Sequence, residues 1–334
     1  MSSLAYSTGV GSQTPPLAPS ISPRMTLTPQ AQFQSGVLAL YEPMPENSGT
    51  TRQFVGIDPL PNLTQINTYE TVGVSPISPT YNTVSITPTL YNQAVIISVA
   101  ARISSQIPWL AAIVNQMIIA GYRTEDIITY NALLQATTVY NASNGSNGCF
   151  PTEMTGTDAA QITAILHNNM APQSLEEIQA SDWYNTSGLR GGYVMLTSVL
   201  AETTFTTNTD EFTTIQQSPS QDGLKYGQLG TYKTGGIGVF TSKNYPVTGE
   251  VVSNASGSGQ FQLMSGCVVS LASYVRVIFP SHDKKIAEVG SPFLGINNLQ
   301  EGVSILYWGA AGILQRNWCM KVEFTCTPLS TTAA

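Results

Sequence analysis

The stretch 83–100, TVSITPTLYNQAVIISVA, joins an alternating segment to an apolar run. In 83–91 the apolar side chains fall on one side of an extended chain, opposite threonines and a serine. This pattern predicts a strand with one buried face. Pro88 lies on the apolar side and has no backbone N–H, so the strand is expected at the edge of a sheet. The run 94–100 predicts a second strand.

The chain that precedes these strands is rich in proline and poor in charge. Residues 1–100 hold 12 of the 20 prolines but only 6 charged side chains, so no long helix is expected there. Strand patterns separated by proline-rich bends fill 49–98, and a two-stranded excursion of ~20 residues each way would reach on the order of 60 Å. An arm of that length extends beyond its own domain, so we expect it to rest on another subunit.

The charge composition bounds the class of protein. Only 10% of the 334 residues are charged, against about 25% in typical soluble domains. This favours a surface covered by neighbouring molecules over one kept wet by uncharged polar side chains alone. The net charge is −7. An acidic protein surface repels the phosphate backbone of a nucleic acid, so the charge does not favour a nucleic-acid-binding protein. The nearest basic cluster, Lys284–Lys285, is expected to be a solvated loop.

Membrane, secreted and zinc-binding proteins do not fit the sequence. The apolar stretch 107–122 is shorter than the ~18–20 residues of a membrane span, and the N-terminus lacks the basic and apolar regions of a signal peptide. With four cysteines, no CxxC pair and two histidines, a zinc site is not expected. Cys267 and Cys326 lie in apolar runs and are expected to pack as small hydrophobes.

Helical spacing is clearest in 107–139. Thr124 is expected to cap a second helical segment, with Glu125 and Asp126 in its first turn. The result would be one long helix or two collinear ones, which form a spine. The loop NASNGSNG at 141–148 is a predicted boundary.

Strands return in the C-terminal third. The runs 267–279 and 303–314 each predict a long strand, and 320–326 alternates as a strand with one buried face. Before them, 222–245 is rich in glycine and predicts loops around short strands. Helices first and strands last imply an α+β class.

Catalytic motifs are missing from the sequence. There is no Gly-Lys-Ser/Thr phosphate loop, no HExxH and no GxSxG. The pair His282–Asp283 would serve a hydrolase triad only together with a nucleophile, and a polar turn is the favoured interpretation. Trp308 and Trp318 are expected in the core. No catalytic residue, metal or cofactor is therefore predicted.

Three passages carry a resemblance to a known family. They are ETVGVSP at 70–76 leading into 83–91, YGQLGTY at 226–232 before GVFTSKN at 238–244, and LYWG at 306–309 followed by Leu314, Trp318 and KVE at 321–323. With the order of elements, they resemble the major capsid proteins of tailed double-stranded DNA bacteriophages with the Hong Kong 97-type fold. The family typified by phage N-four is the specific one that they resemble.

The resemblance implies an α+β fold with an N-terminal arm, an extended β-hairpin loop, a peripheral domain and an axial domain. The parts are the arm (1–48), the extended loop and following strands (49–98), the spine helix of the peripheral domain (99–140), the glycine-rich axial domain (141–246), and the returning long strands of the peripheral domain with the C-terminus (247–334). It also implies a virion protein, assembled in the host cytoplasm. Its hexamers and pentamers would form an icosahedral head around double-stranded DNA, which it contacts non-specifically at most. Portal and decoration proteins would be further partners, and no membrane is involved.

Eight residues of the extended loop are the predicted contacts between subunits. The apolar ones are Phe54, Ile57, Leu60, Leu63 and Ile66, and the charged ones are Arg52, Asp58 and Glu70. Strand addition would satisfy main-chain groups of a neighbour without a specific side-chain site. The alternative is that these residues pack within their own subunit. Two other functions stay open: a tail or fibre component, and a soluble hydrolase that uses His282–Asp283.

Overall fold

A computed structural model describes the chain at residue 35 and over 39–46, 49–57, 78, 80–98, 109–142, 151–173, 192–207, 211–214, 228–245, 251–253, 260–289 and 300–326. Strands and a few helices share these ranges, which confirms the α+β class. The helices are α1 Trp109–Leu133, α2 Gly156–Asn168 and α3 Glu202–Thr207. The strands are β1 Leu40–Pro43, β2 Arg52–Ile57, β3 Tyr81–Ile86, β4 Thr89–Ser98, β5 Thr138–Asn141, β6 Val194–Ser198, β7 Phe212–Thr214, β8 Gln228–Tyr232, β9 Gly238–Ser242, β10 Val251–Ser253, β11 Gln260–Val269, β12 Tyr274–Ile278, β13 Lys285–Val289, β14 Gln300–Ile313 and β15 Cys319–Cys326.

The smaller sheet is built around the long strand β14. This strand pairs antiparallel with β12, β13 and β4. The helix α1 packs on the sheet, where Met117 shares a buried cluster with Val303 and Ile305. The strand β1 lies at one edge of this sheet and runs parallel to β12. Residues 40–43, which the sequence assigns to the arm, therefore belong to a sheet of their own subunit.

A two-stranded hairpin leads into the smaller sheet. In it, Arg52 of β2 faces Ile86 of β3, and the pairing runs to Ile57 opposite Tyr81. The prediction of one strand over 83–91 is wrong, because β3 ends at Ile86 and the next strand begins at Thr89. Proline cannot donate to a ladder and fixes φ, so the chain leaves the hairpin and enters the sheet beside Pro88.

The larger sheet has eight strands in the order β5-β15-β11-β6-β9-β8-β7, with β10 on the outer part of β11. Its middle strands come from distant parts of the chain, since β11 pairs with both β15 and β6. The helix α2 covers the sheet, and its Ile162 and Leu166 lie in one buried cluster with Tyr193 and Phe324.

Two adjacent crossings join the sheets. The prediction of one strand over 267–279 is wrong, because β11 ends at Val269 in the larger sheet and β12 begins at Tyr274 in the smaller one. Ala272 has a φ of 55°, a left-handed conformation that turns the chain out of the first sheet. The return crossing lies alongside, since the backbone N–H groups of Leu314 and Gln315 donate to the Ser273 carbonyl at 2.8 and 3.1 Å.

The helix α1 is one uninterrupted element of 25 residues. The predicted N-cap at Thr124 is therefore wrong. The hydroxyl of Thr124 donates to the carbonyl of Ala120 at 2.8 Å, as Thr does inside helices. Glu125 and Asp126, expected in the first turn of a second helical segment, are fully buried within α1. They are the starting point of the candidate site.

Candidate functional site

Glu125 lies at the centre of a buried ion network between α1 and the smaller sheet. Its carboxylate oxygens lie 2.7 Å from Arg276 Nη1 and 2.9 Å from Lys284 Nζ. Glu125 is completely buried, and the side chains of Arg276 and Lys284 are 17% and 11% exposed. A buried carboxylate needs such partners, because an unpaired one would carry a large desolvation cost.

Lys284 corrects the prediction of a solvated loop at 284–285. Besides Glu125 it pairs with Asp283, and its ammonium lies 4.7 Å from the ring centroid of Tyr122. Burial acts to lower the pKa of Lys284, but the hydrogen bonds that its ammonium donates to Asp283 and Glu125 outweigh it, and the pKa is raised. A Cβ on Gly121 would lie 3.0 Å from the Lys284 stem, so a glycine lets the lysine approach the helix. Lys285 is exposed, as predicted.

Asp126 faces a different set of partners. Its Oδ1 accepts hydrogen bonds from the backbone N–H and the hydroxyl of Ser35, at 3.1 and 2.6 Å. Its Oδ2 accepts from the Ser242 hydroxyl at 3.2 Å and from the Asn244 amide at 3.1 Å. Ser35 is itself completely buried, and its carbonyl accepts from the hydroxyl of Tyr274. Adjacent helical residues point about 100° apart, so the two carboxylates bind different parts of the subunit.

The described contacts do not form a catalytic site at His282–Asp283. The ring nitrogen Nδ1 of His282 lies 2.8 Å from the Ser281 hydroxyl, and the ring meets the Trp308 ring edge-on at 5.7 Å between centroids. A triad needs a carboxylate that orients the histidine, whereas Asp283 pairs with Lys284. The arrangement is a packed turn of the kind that the sequence favoured.

Metal binding and membrane insertion have no support in the described part of the chain. No group of three or more His, Cys, Asp or Glu side chains there could hold a metal ion. Over the same ranges, no helix is long and apolar enough to cross a membrane. Cys267 and Cys326 are buried free thiols, as predicted, and Cys319 joins them. The pKa of Cys319 is raised to about 12 by burial.

The hairpin β2–β3 has one face toward its own subunit. Phe54 is half-buried against a core cluster that contains Ile86 and Trp308. Arg52 forms an ion pair with Glu42 of the same chain, with side chains 40% and 30% exposed. Of the eight predicted contacts, these two therefore already have partners within the subunit. Ile57 is the last residue of β2, and Asp58, Leu60, Leu63, Ile66 and Glu70 lie outside the described residues.

The opposite face of the hairpin is exposed and uncharged. We call it the outer hairpin face, and its residues are Gln53, Val55, Tyr81, Thr83 and Ser85. Val55 is 64% exposed and Tyr81 is 61% exposed. The sequence prediction missed both, although the period of two in β2 puts Val55 opposite to Phe54.

Comparison with known proteins gives a fold but no sequence family. No family model matches the chain, and no curated protein matches it significantly. The solved capsid of Ralstonia phage GP4 aligns over 98% of this chain and 100% of its own, with a TM-score of 0.59 and 11% identity. The capsid of cyanophage P-SCSP1u aligns over 91% of both chains, with a TM-score of 0.56 and 13% identity.

A third similar structure is the head of Helicobacter pylori bacteriophage KHP40, which covers 96% of this chain and 98% of its own at a TM-score of 0.54 and 10% identity. The chain has the Hong Kong 97-type capsid fold. This confirms the resemblance at the level of the capsid fold, while the phage N-four subfamily stays a prediction. Identities of 10–13% are low enough that the shared architecture rests on burial pattern and topology rather than on matched residues.

Proposed function

We propose that this chain is the major capsid protein of a tailed bacteriophage and has no enzymatic activity. Copies of it assemble as hexamers and pentamers into an icosahedral head around double-stranded DNA. The observation that carries the proposal is the coverage: phage capsid structures align over 91–98% of the chain, so the likeness is not confined to one domain. Assembly in the host cytoplasm and contact with portal and decoration proteins are part of the same proposal.

The two sheets support a division into two functional units. We assign the peripheral unit to the smaller sheet with α1, and the axial unit to the larger sheet with α2. The strand β11 pairs with both β15 and β6, so this axial unit takes in part of 247–334 as well as 141–246. The residues before 49 serve as the arm, anchored at Ser35 and at β1.

The outer hairpin face is the surface that we assign to contacts between subunits. Val55 and Tyr81 expose apolar side chains there, and no charged side chain lies among the five residues of this face. An uncharged strand face of this kind buries well against another surface. Among the described residues β2 and β3 pair only with each other, so their outer edges are available for strand addition. Of the predicted contacts, Phe54 packs on the core of its own subunit and is set aside. The others remain proposals: Arg52, Ile57, Asp58, Leu60, Leu63, Ile66 and Glu70.

The assembly proposal is tested with two hairpin variants that differ in the face they change. We expect the double variant Val55→Asp, Tyr81→Asp to fold and to give no closed shells by negative-stain electron microscopy, because it places charge in a desolvated contact. The control Phe54→Ala removes a ring packed on the subunit's own core. We expect it to lower the melting temperature and still to form shells.

Three results would overturn parts of the proposal. Normal closed shells from the double variant would exclude the outer hairpin face as a contact surface. A wild-type chain that elutes only as a 35.7 kDa monomer under all conditions would exclude the capsid function. Fibres or tubes in place of shells would favour a tail component.

A further inference from the structure

Asp126 joins three segments of the chain that are far apart in sequence. It lies in the middle of α1, and its hydrogen-bond partners Ser35 and Asn244 are 91 and 118 residues away. We infer that Asp126 is a positioning residue, which fixes the point where the N-terminal segment joins the folded subunit and couples that point to the larger sheet. The inference concerns a single chain and does not depend on the capsid function.

The two carboxylate oxygens of Asp126 bind different segments of the chain. Both donors of Ser35 bind Oδ1, and both donors from the end of β9 bind Oδ2. Hydrogen bonds to a charged acceptor are roughly twice as strong as neutral ones. A displaced Ser35 would leave Oδ1 of a fully buried carboxylate without these donors, at a high desolvation cost. Ser35 is thereby held at one position.

Tyrosine hydroxyls complete the enclosure of Ser35. Tyr274 donates to the Ser35 carbonyl, so all three polar groups of this residue are bonded. Burial first, then Cys319 and Asp126, raise the pKa of Tyr274. Burial and the charge of Asp126 also raise the pKa of Tyr245. Both hydroxyls therefore stay protonated at neutral pH, and Tyr274 remains a donor.

Ser35 on one side and Ser242 and Asn244 on the other bind the same carboxylate of Asp126, so a change on one side affects the other. Any change that loosens Ser35 alters the acceptor of Ser242 and Asn244, and the reverse holds by linkage. Glu125 has its charged partners on the other side of α1, in Arg276 of β12 and in Lys284 of the turn before β13. Arg276 lies beside Tyr41 of β1, so a change at Glu125 can reach 39–46, but its charged partners do not lie in 238–245. The adjacent glutamate is thus a natural control for a change in general stability.

Hydrogen–deuterium exchange of the full chain tests the inference, with every variant in the same assembly state. In Ser35→Ala the helix is untouched and one donor is lost, and we expect faster exchange both in 39–46 and in 238–245. In Asp126→Asn the amide nitrogen cannot accept, so one pair of donors loses its acceptor. We expect roughly 10- to 100-fold faster exchange in the same two segments, since a hydrogen bond to a charged group corresponds to about that factor. Glu125→Gln should speed exchange at 276–286 and spare 238–245.

The outcomes separate a positioning role from a structural one. Faster exchange in 39–46 and 238–245 for both Ser35→Ala and Asp126→Asn, with 238–245 unaffected by Glu125→Gln, supports the inference. Unchanged exchange at 238–245 in Ser35→Ala overturns the coupling. A uniform increase over the whole chain in Asp126→Asn, matched by Glu125→Gln, overturns the positioning role altogether. An Asp126→Asn chain that does not fold leaves Ser35→Ala and Ser242→Ala to decide by the same two segments.

Discussion

Glu125→Gln is the substitution whose cost follows most directly from the structure. The change keeps the shape of the side chain and removes the negative charge that lies 2.7 Å from Arg276 and 2.9 Å from Lys284. Breaking a buried ion pair by removing one partner costs about 3–5 kcal/mol. Lys284 retains Asp283, and both cations keep slight access to water. We therefore expect the lower end, about 3 kcal/mol.

The corresponding shift in melting temperature is small but measurable. Unfolding entropy is about 2.1 cal/mol/K per residue, or about 0.7 kcal/mol/K for a chain of this length, so the expected decrease is about 4 °C. Thermal unfolding at pH 7, followed by circular dichroism on unassembled chain, measures it. Glu42→Gln is the matched control, because its partner Arg52 is 40% exposed, and such pairs contribute at most about 1 kcal/mol. If Glu125→Gln lowers the melting temperature no more than Glu42→Gln does, Glu125 is not the counter-charge of a buried network.

Two further predictions concern a close backbone approach and the buried thiols. A Cβ at Gly192 would lie 1.9 Å from the carbonyl oxygen of Gly236, so we expect Gly192→Ala to give insoluble chain on expression. Gly238→Ala, whose Cβ would meet nothing closer than 3.5 Å, should stay soluble. Burial raises the pKa of Cys319 to about 12, and burial with nearby Glu153 raises that of Cys326 to about 11, from 9.0. Above pH 9 the unfolded chain therefore loses protons that the folded chain keeps, and stability decreases with rising pH. Urea unfolding under reducing conditions should show a loss of about 3 kcal/mol between pH 8 and pH 10 from these two thiols.

Each of these has a clear contrary result. A soluble Gly192→Ala chain with wild-type circular dichroism would show that the two backbone segments are not in contact. Stability that is flat or rising from pH 8 to pH 10 would show that the thiols titrate in the folded chain as they do in the unfolded one. Cys326→Ala should reduce the pH dependence, because it removes one of the three buried thiols whose pKa is raised.

Local pattern was sufficient where a residue's environment depends on its near neighbours. The strand at 303–314 and the alternating strand at 320–326 were predicted from spacing, and the structure has them as β14 and β15. Burial of Cys267 and Cys326 followed from the apolar runs around them. The run 267–279 failed, because nothing local distinguishes a continuous strand from two strands that leave for different sheets at Ala272.

In the candidate site, too, sequence pattern was insufficient where a residue's environment depends on distant parts of the chain. Thr124, Glu125 and Asp126 have the local pattern of a helix start, and a capped, exposed first turn is the favoured interpretation when only neighbouring residues are known. The predicted contacts between subunits rest on hydrophobicity and charge, and they include Phe54 but not Val55. Which face of a strand is buried depends on the sheet it meets, and the meeting surface around Trp308 lies more than 200 residues further along the chain.

Composition, proline placement and side-chain period thus establish an α+β chain with a proline-rich start, a long helix and returning strands, because these properties act through sterics and local hydrogen bonding. Contacts between residues that are far apart in sequence determine the burial of Glu125 and Asp126. Glu125 is stable in the interior because Lys284, 159 residues away in sequence, donates to its carboxylate. Asp126 is stable there because Ser35, 91 residues away, donates to its carboxylate. A charge in the interior is stable only with its partners in place, and their arrival there is a property of the folded chain.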